Sequence, residues 1–153
     1  MSKTNQKEMP GAATEFRFTI ELPAAASRAW TALVKEVNAW WPGDFHAAGE
    51  TSRMILEPKL GGRLYEDAGD GNGVLWYQVI ALDAPRSITF SGAIAPPFGG
   101  PATTLLRLSL EEISAKTTAL EIHDSLFGHI EGCDAQAGWR QVFGSLATYL
   151  KEK

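Results

Sequence analysis

The chain has 153 residues, 44% of them apolar and 21% charged, with 14 basic against 18 acidic residues and a formal net charge of −4. That size and apolar share point to one domain with one core, and a slightly acidic chain with no basic run is not built for nucleic acid or an anionic membrane surface. No apolar stretch approaches the length of a membrane span, and the single Cys133 excludes an internal disulfide, so a cytoplasmic protein without membrane insertion is expected.

Residues 1–14 are polar and lack the apolar centre of a secretion signal, so they read as a disordered lead-in to one domain over 15–153. Phe16, Phe18, Ile20 and Leu22 then alternate with Arg17, Thr19 and Glu21, the two-residue period of a half-buried strand. Pro23 suits the first turn of a helical stretch, whose apolar stripe is Ala26, Ala29, Trp30, Leu33, Val34 and Val37. Pro42 ends it, and residues 43–51 should form a loop carrying Phe45 and His46.

From Ser52 onward the pattern is strand after strand. Residues 53–57 and 63–67 are short, and a turn is expected over 69–73, with Asn72-Gly73 supplying positive φ. Residues 74–82 are apolar at every position except Gln78, as a strand covered on both faces would be. A turn at Asp83-Ala84-Pro85 leads to a strand over 87–91. Leu106, Leu108 and Leu110 alternate in a long strand, and a last one follows over 117–126. Six strands joined by short turns imply antiparallel pairing. The segment 92–103 breaks the pattern. It holds Pro96, Pro97 and Pro101 with Gly99-Gly100 around Phe98, and is either a lid, with Pro97, Phe98, Gly99 and Gly100 at its tip, or a surface excursion.

The chain closes on an amphipathic helix over 134–151, with Trp139, Val142, Phe143, Leu146, Tyr149 and Leu150 on one face. Burying six such side chains is worth about 10 kcal/mol gross, so the helix needs a large apolar surface, and only the sheet can supply one. A curved sheet wrapped around it would leave a cavity between them. Gly138 and Gly144 inside this helix cost about 1 kcal/mol each relative to alanine. The expected reason is close approach of a strand or of the first helices, or else a helix thinned where a ligand lies.

Chemistry-bearing motifs are sparse. His123, Asp124, His129 and Cys133 match no metal-ligand spacing, and adjacent strand residues His123 and Asp124 should face opposite ways. Neither a metal nor any other cofactor is called for. By alternation Asp124 shares a face with Leu120, Ile122 and Leu126, the buried one, so it is either a polar anchor or general base at the cavity end, or a capping or turn-forming residue near Gly128. Five Trp, three Tyr and seven Phe residues make either an aromatic-rich core or an aromatic pocket.

The order strand, helical region, six strands and long C-terminal helix resembles the START-like (SRPBCC, Bet v 1-like, helix-grip) superfamily. With Pro23 and Trp30, Trp40-Trp41-Pro42, Glu57-Pro58 with Gly61-Gly62-Arg63, Gly73-Val74 through Asp83-Ala84-Pro85, and Gly138-Trp139, it resembles most the bacterial branch of the activator of heat-shock-protein-90 ATPase homologue family. The resemblance implies an α+β fold, a curved antiparallel seven-stranded sheet around the C-terminal helix with two short helices between strands 1 and 2. The superfamily holds lipid carriers, hormone receptors and polyketide cyclases.

The leading expectation is a binding protein for a small hydrophobic molecule, aromatic or acyl and lipid-like. Its pocket would use Trp40, Trp41, Phe45, Met54 and Tyr65 from the first half of the chain. Trp76, Phe90, Asp124, Trp139 and Phe143 would complete it. A second expectation is a cyclase or dehydratase with Asp124 and a tyrosine, Tyr65, as its acid–base pair. A third, from the resemblance alone, is a chaperone partner whose ATPase the protein stimulates.

Overall fold

A computed structural model describes residues 11–129 and 134–152. Alternation sets the first element: strand β1 (Ala12–Leu22) turns Phe16, Phe18, Ile20 and Leu22 inward. It begins inside the segment expected to be a disordered lead, because its ladder with the last strand runs on to the pair Ala12↔Gly128. Residues 1–10 of that lead lie outside the described residues, as does Cys133.

Helix α1 (Ala26–Lys35) starts three residues after Pro23, since the Ala24 amide is spent on the Leu22 carbonyl at 2.8 Å. It breaks at Glu36 and resumes as α2 (Val37–Trp40). The Glu36 carboxylate accepts both guanidinium nitrogens of Arg28, at 2.6 and 2.9 Å, and the Tyr149 hydroxyl at 2.5 Å.

Six strands follow: β2 (Arg53–Leu56), β3 (Arg63–Gly69), β4 (Asn72–Asp83), β5 (Ser87–Ile94), β6 (Ala102–Ser114) and β7 (Thr117–Gly128). The sheet is seven-stranded and antiparallel, ordered β1-β7-β6-β5-β4-β3-β2. The β3–β4 turn is centred on Asp70-Gly71, with φ of 57° and 79°, two residues ahead of the expected Asn72-Gly73. Two successive positive φ values match the twist of a two-residue hairpin.

The expected long segment 92–103 is shorter than its composition suggests. Pairs from Gly92↔Thr104 to Ile94↔Ala102 extend β5 and β6 into it, leaving 95–101 with a 3-10 turn at Pro96–Phe98. Strand β4 is not covered on both faces. Leu75 is 52% and Ile80 49% exposed on the outer side. Its unbroken apolar run comes instead from register shifts around Trp76 and Ile80, which interrupt the in–out alternation.

The closing helix α3 (Ala135–Glu152) is capped by Asp134, whose Oδ1 accepts the Ala137 amide at 3.1 Å. Its stripe of Val142, Phe143, Leu146 and Leu150 is buried on the concave face, each side chain contributing about 2 kcal/mol of transfer free energy. Ser145 Oγ donates to the Trp40 carbonyl at 2.5 Å and ties α3 to α2. The glycines of α3 do not mark close backbone approach. A Cβ at Gly138 would meet only the Phe45 ring, at 3.7 Å, and one at Gly144 would meet nothing within 4 Å. Gly144→Ala should therefore raise stability by about 1 kcal/mol, read as an upward shift of about 2–4 °C in melting temperature. No helix among the described residues is long and apolar enough to cross a membrane.

Candidate functional site

The space under the middle of α3 is filled, contrary to the expected hollow along its length. Trp40, Phe90, Leu106 and Phe143 close in until an apolar void of about 20 Å3 remains, room for about one water and too apolar to hold it. The open space lies at one end, where the first two turns of α3 leave the sheet. There a cleft of about 260 Å3 is walled by Trp41, Phe45, Trp76, Phe98 and Trp139, with Tyr77 and Asp124 also lining it.

The chain places these walls by distinct devices. Trp41 follows α2 in extended conformation, and its indole Nε1 donates to the Phe45 carbonyl at 3.1 Å, closing residues 41–45 into the rim. Trp139 sits on α3, stacked on Phe143 with centroids 5.4 Å apart and edge-on to Trp41 at 6.2 Å. Trp76 and Tyr77 are sequence neighbours that both line the cleft, which a regular strand forbids. The ladder pairs Leu64 with Tyr77 and Tyr65 with Leu75, so Trp76 is an extra residue in a β-bulge.

Gly92, opposite Tyr77 on β5, makes room for that bulge. A Cβ there would fall 2.3 Å from the Trp76 carbonyl oxygen and 2.6 Å from the Tyr77 ring. Gly92→Ala should cost about 1–3 kcal/mol through this overpacking. It should also change the near-ultraviolet circular dichroism of the tryptophans. An unchanged spectrum with unchanged stability would show that the bulge does not depend on Gly92.

The cleft ends on a buried polar chain. Asp124, 1% exposed on β7, accepts the Thr104 hydroxyl at 2.5 Å and the Trp139 indole N–H at 2.8 Å. The Tyr77 phenol lies beside Thr104 and Asp124. Burial pushes the Asp124 carboxyl above its ordinary range, against the opposing pull of Thr104, Trp139 and the Ser125 amide. Burial, with the Asp124 charge second, likewise pushes the Tyr77 phenol up. Asp124 is thus no turn-former near Gly128. It holds together β6, β7 and α3.

A second buried carboxylate, Glu66 on β3, supports the opposite wall. It accepts the amides of Ala47 and Ala48 at 2.9 Å, the Ser52 hydroxyl at 3.0 Å and the Trp76 indole N–H at 2.7 Å. His46 Nδ1 lies 3.6 Å from the same carboxylate. Burial would raise its pKa, but these donors outweigh burial and hold the carboxyl below its ordinary value. Two of the cleft's tryptophans are therefore each oriented by one buried carboxylate.

Of the ten residues expected in a pocket, Trp41, Phe45, Trp76, Asp124 and Trp139 line the cleft. Trp40, Phe90 and Phe143 border the small dry void instead, and Met54 is 1% exposed within the core. Tyr65 alternates with the inward Leu64 and Glu66, so it lies on the outer face under the Arg63 guanidinium, 4.6 Å from the ring centroid. It cannot partner Asp124, and Tyr77 occupies that place. Of the four lid residues only Phe98 lines the cleft, with its ring 5.3 Å from that of Trp76. His123 points outward to Glu15, at 2.6 Å, opposite to Asp124. Thr104 and Glu66 were not anticipated. Thr104 shares the two-residue period of the buried Leu106 and Leu108, and Glu66 that of Leu64, a signal that each polar side chain faces inward.

A seven-stranded antiparallel sheet that grips a long C-terminal helix, with two short helices after the first strand and a cleft at one end, is the helix-grip fold. Over residues 23–151 the chain matches the family described as Activator of Hsp90 ATPase homolog 1-like protein, and it belongs to that family. Among solved structures it is similar to the Mll3558 protein from Rhizobium loti, at 18% identity over 92% of this chain and 99% of that one, with a TM-score of 0.66. It is also similar to norcoclaurine synthase from Thalictrum flavum in complex with dopamine and hydroxybenzaldehyde, at 12% identity over 99% and 98% of the two chains, TM-score 0.64. A third is CalU16 from Micromonospora echinospora, at 19% identity over 91% and 75%, TM-score 0.60. These likenesses concern the fold. No curated protein matches the chain.

Proposed function

We propose that the protein binds a small aromatic molecule in the cleft between the bulged strand β4, the 95–101 turn and the first turns of α3. The observation that carries this reading is the wall itself: three indoles and two phenyl rings around about 260 Å3, two of the indoles fixed by buried carboxylates. Rings held this firmly lose little entropy when a flat guest stacks on them. The volume sits just below the range of about 300–1,000 Å3 usual for ligand pockets, which suits one or two fused rings better than a long acyl chain. Titrating small aromatics while following the indole N–H resonances of Trp41, Trp76 and Trp139 tests the reading. Shifts confined to these three support it, and shifts spread over the outer face of the sheet would remove it.

An acid–base role in the same cleft is favoured by one feature, Asp124 and Tyr77 lining the same cleft with Tyr77 beside the Thr104 that bonds Asp124. A raised carboxyl pKa suits a general base. If the guest is turned over, Asp124→Asn and Tyr77→Phe should each abolish most turnover while leaving binding measurable.

A further inference from the structure

Resting on that reading, we propose that the cleft selects a protonated aromatic amine over neutral and acidic aromatics of the same shape. The first support is a buried carboxylate to which no cation is bonded. Asp124 lines the cleft at 1% exposure, and the two side chains that bond it are neutral donors, the Thr104 hydroxyl and the Trp139 indole. Among the described residues, no Lys, Arg or His lines the cleft. A carboxylate buried without a cation is costly, and a cation brought beside it recovers much of that cost.

The second support is independent of Asp124. The walls include the rings of Trp41, Trp76 and Trp139, with Phe45 and Phe98. The face of an aromatic ring carries the negative end of its quadrupole, so a cage of indoles attracts an ammonium and does nothing for a carboxylate. An acidic guest such as a fatty or aryl acid would set its charge against Asp124 with no cation to offset it. A neutral guest would leave Asp124 as it is. A ring bearing an ammonium on a short arm satisfies both features within the available volume.

The test uses the full chain and three probes of nearly one shape: tryptamine, tryptophol and indole-3-propionate. Binding is measured by calorimetry and by the three indole N–H resonances. Tryptamine should bind about tenfold more tightly than tryptophol, from an added charged hydrogen bond and cation–π contact, and indole-3-propionate should bind more weakly than both. Asp124→Asn should reduce the preference for tryptamine over tryptophol to about twofold or less. Equal affinity for tryptamine and tryptophol in the wild type would overturn the inference and leave the aromatic cleft standing. So would a preference for the acid. Should Asp124→Asn fail to fold, the wild-type comparison of the isosteric amine and alcohol decides the matter alone. If none of the three probes moves the indole resonances at millimolar concentration, both this inference and the aromatic reading fall together.

Discussion

Trp139→Ala should lower folding stability by about 3–5 kcal/mol, among the largest losses available to a half-buried side chain of this protein. The indole stacks on Phe143 at 5.4 Å, meets Trp41 edge-on at 6.2 Å and Tyr77 at 6.3 Å. Its removal takes out the centre of that aromatic cluster and strips one donor from the buried Asp124 carboxylate. Two causes are thus combined, and a second variant separates them. Trp139→Phe keeps most of the ring and loses only the N–H, so its cost should be the smaller one of a buried acceptor left short, about 1–3 kcal/mol. In the Asp124→Asn background the Trp139→Phe loss should shrink, since the two groups share one bond. Urea unfolding of the four proteins measures this. Strict additivity of the two changes would mean that the bond between them contributes nothing.

Glu66→Leu should be comparably damaging, at about 3–5 kcal/mol, because one substitution strands several donors in a buried site. The amides of Ala47 and Ala48, the Ser52 hydroxyl and the Trp76 indole all lose their acceptor, and Leu offers none in its place. The loop 46–52 and the Trp76 wall should loosen together, visible as faster amide exchange at residues 47 and 48.

The two buried carboxylates also give opposite responses to acid. Glu66 titrates below its ordinary 4.5 in the folded protein. Its stabilisation is complete above that value and is lost as pH falls through the folded pKa. Asp124 titrates above its ordinary 3.8. Its contribution is present below 3.8 and is lost as pH rises through the folded pKa. Glu66→Gln should therefore flatten the acid limb of the stability profile, whereas Asp124→Asn should flatten the rise in stability on mild acidification. Urea midpoints collected across the acid range distinguish the two. The assignment of roles fails if each variant moves the limb ascribed to the other.

Much of this architecture is written in local periodicity. The alternation of Phe16, Phe18, Ile20 and Leu22 places β1, and the stripe from Val142 to Leu150 places the buried face of α3. The parity of Leu120, Ile122 and Asp124 sends that carboxylate inward. Each is a property of one segment, set by the two- or 3.6-residue period of its own backbone.

The cleft is different in kind. Which tryptophans wall it depends on a register shift between β3 and β4 that brings Trp76 to the side of Tyr77, and on the absence of a side chain at Gly92 on a third strand. Tyr65 and Tyr77 look alike along the chain, yet pairing puts one under Arg63 on the outer face and the other beside Thr104. Trp40 fills the core while Trp41 opens onto the cleft, although they are adjacent. Periodicity names the face of an element, whereas a hollow exists only where several faces meet without filling the space between them. That outcome belongs to side-chain volumes summed over distant segments, and only the folded chain contains the sum.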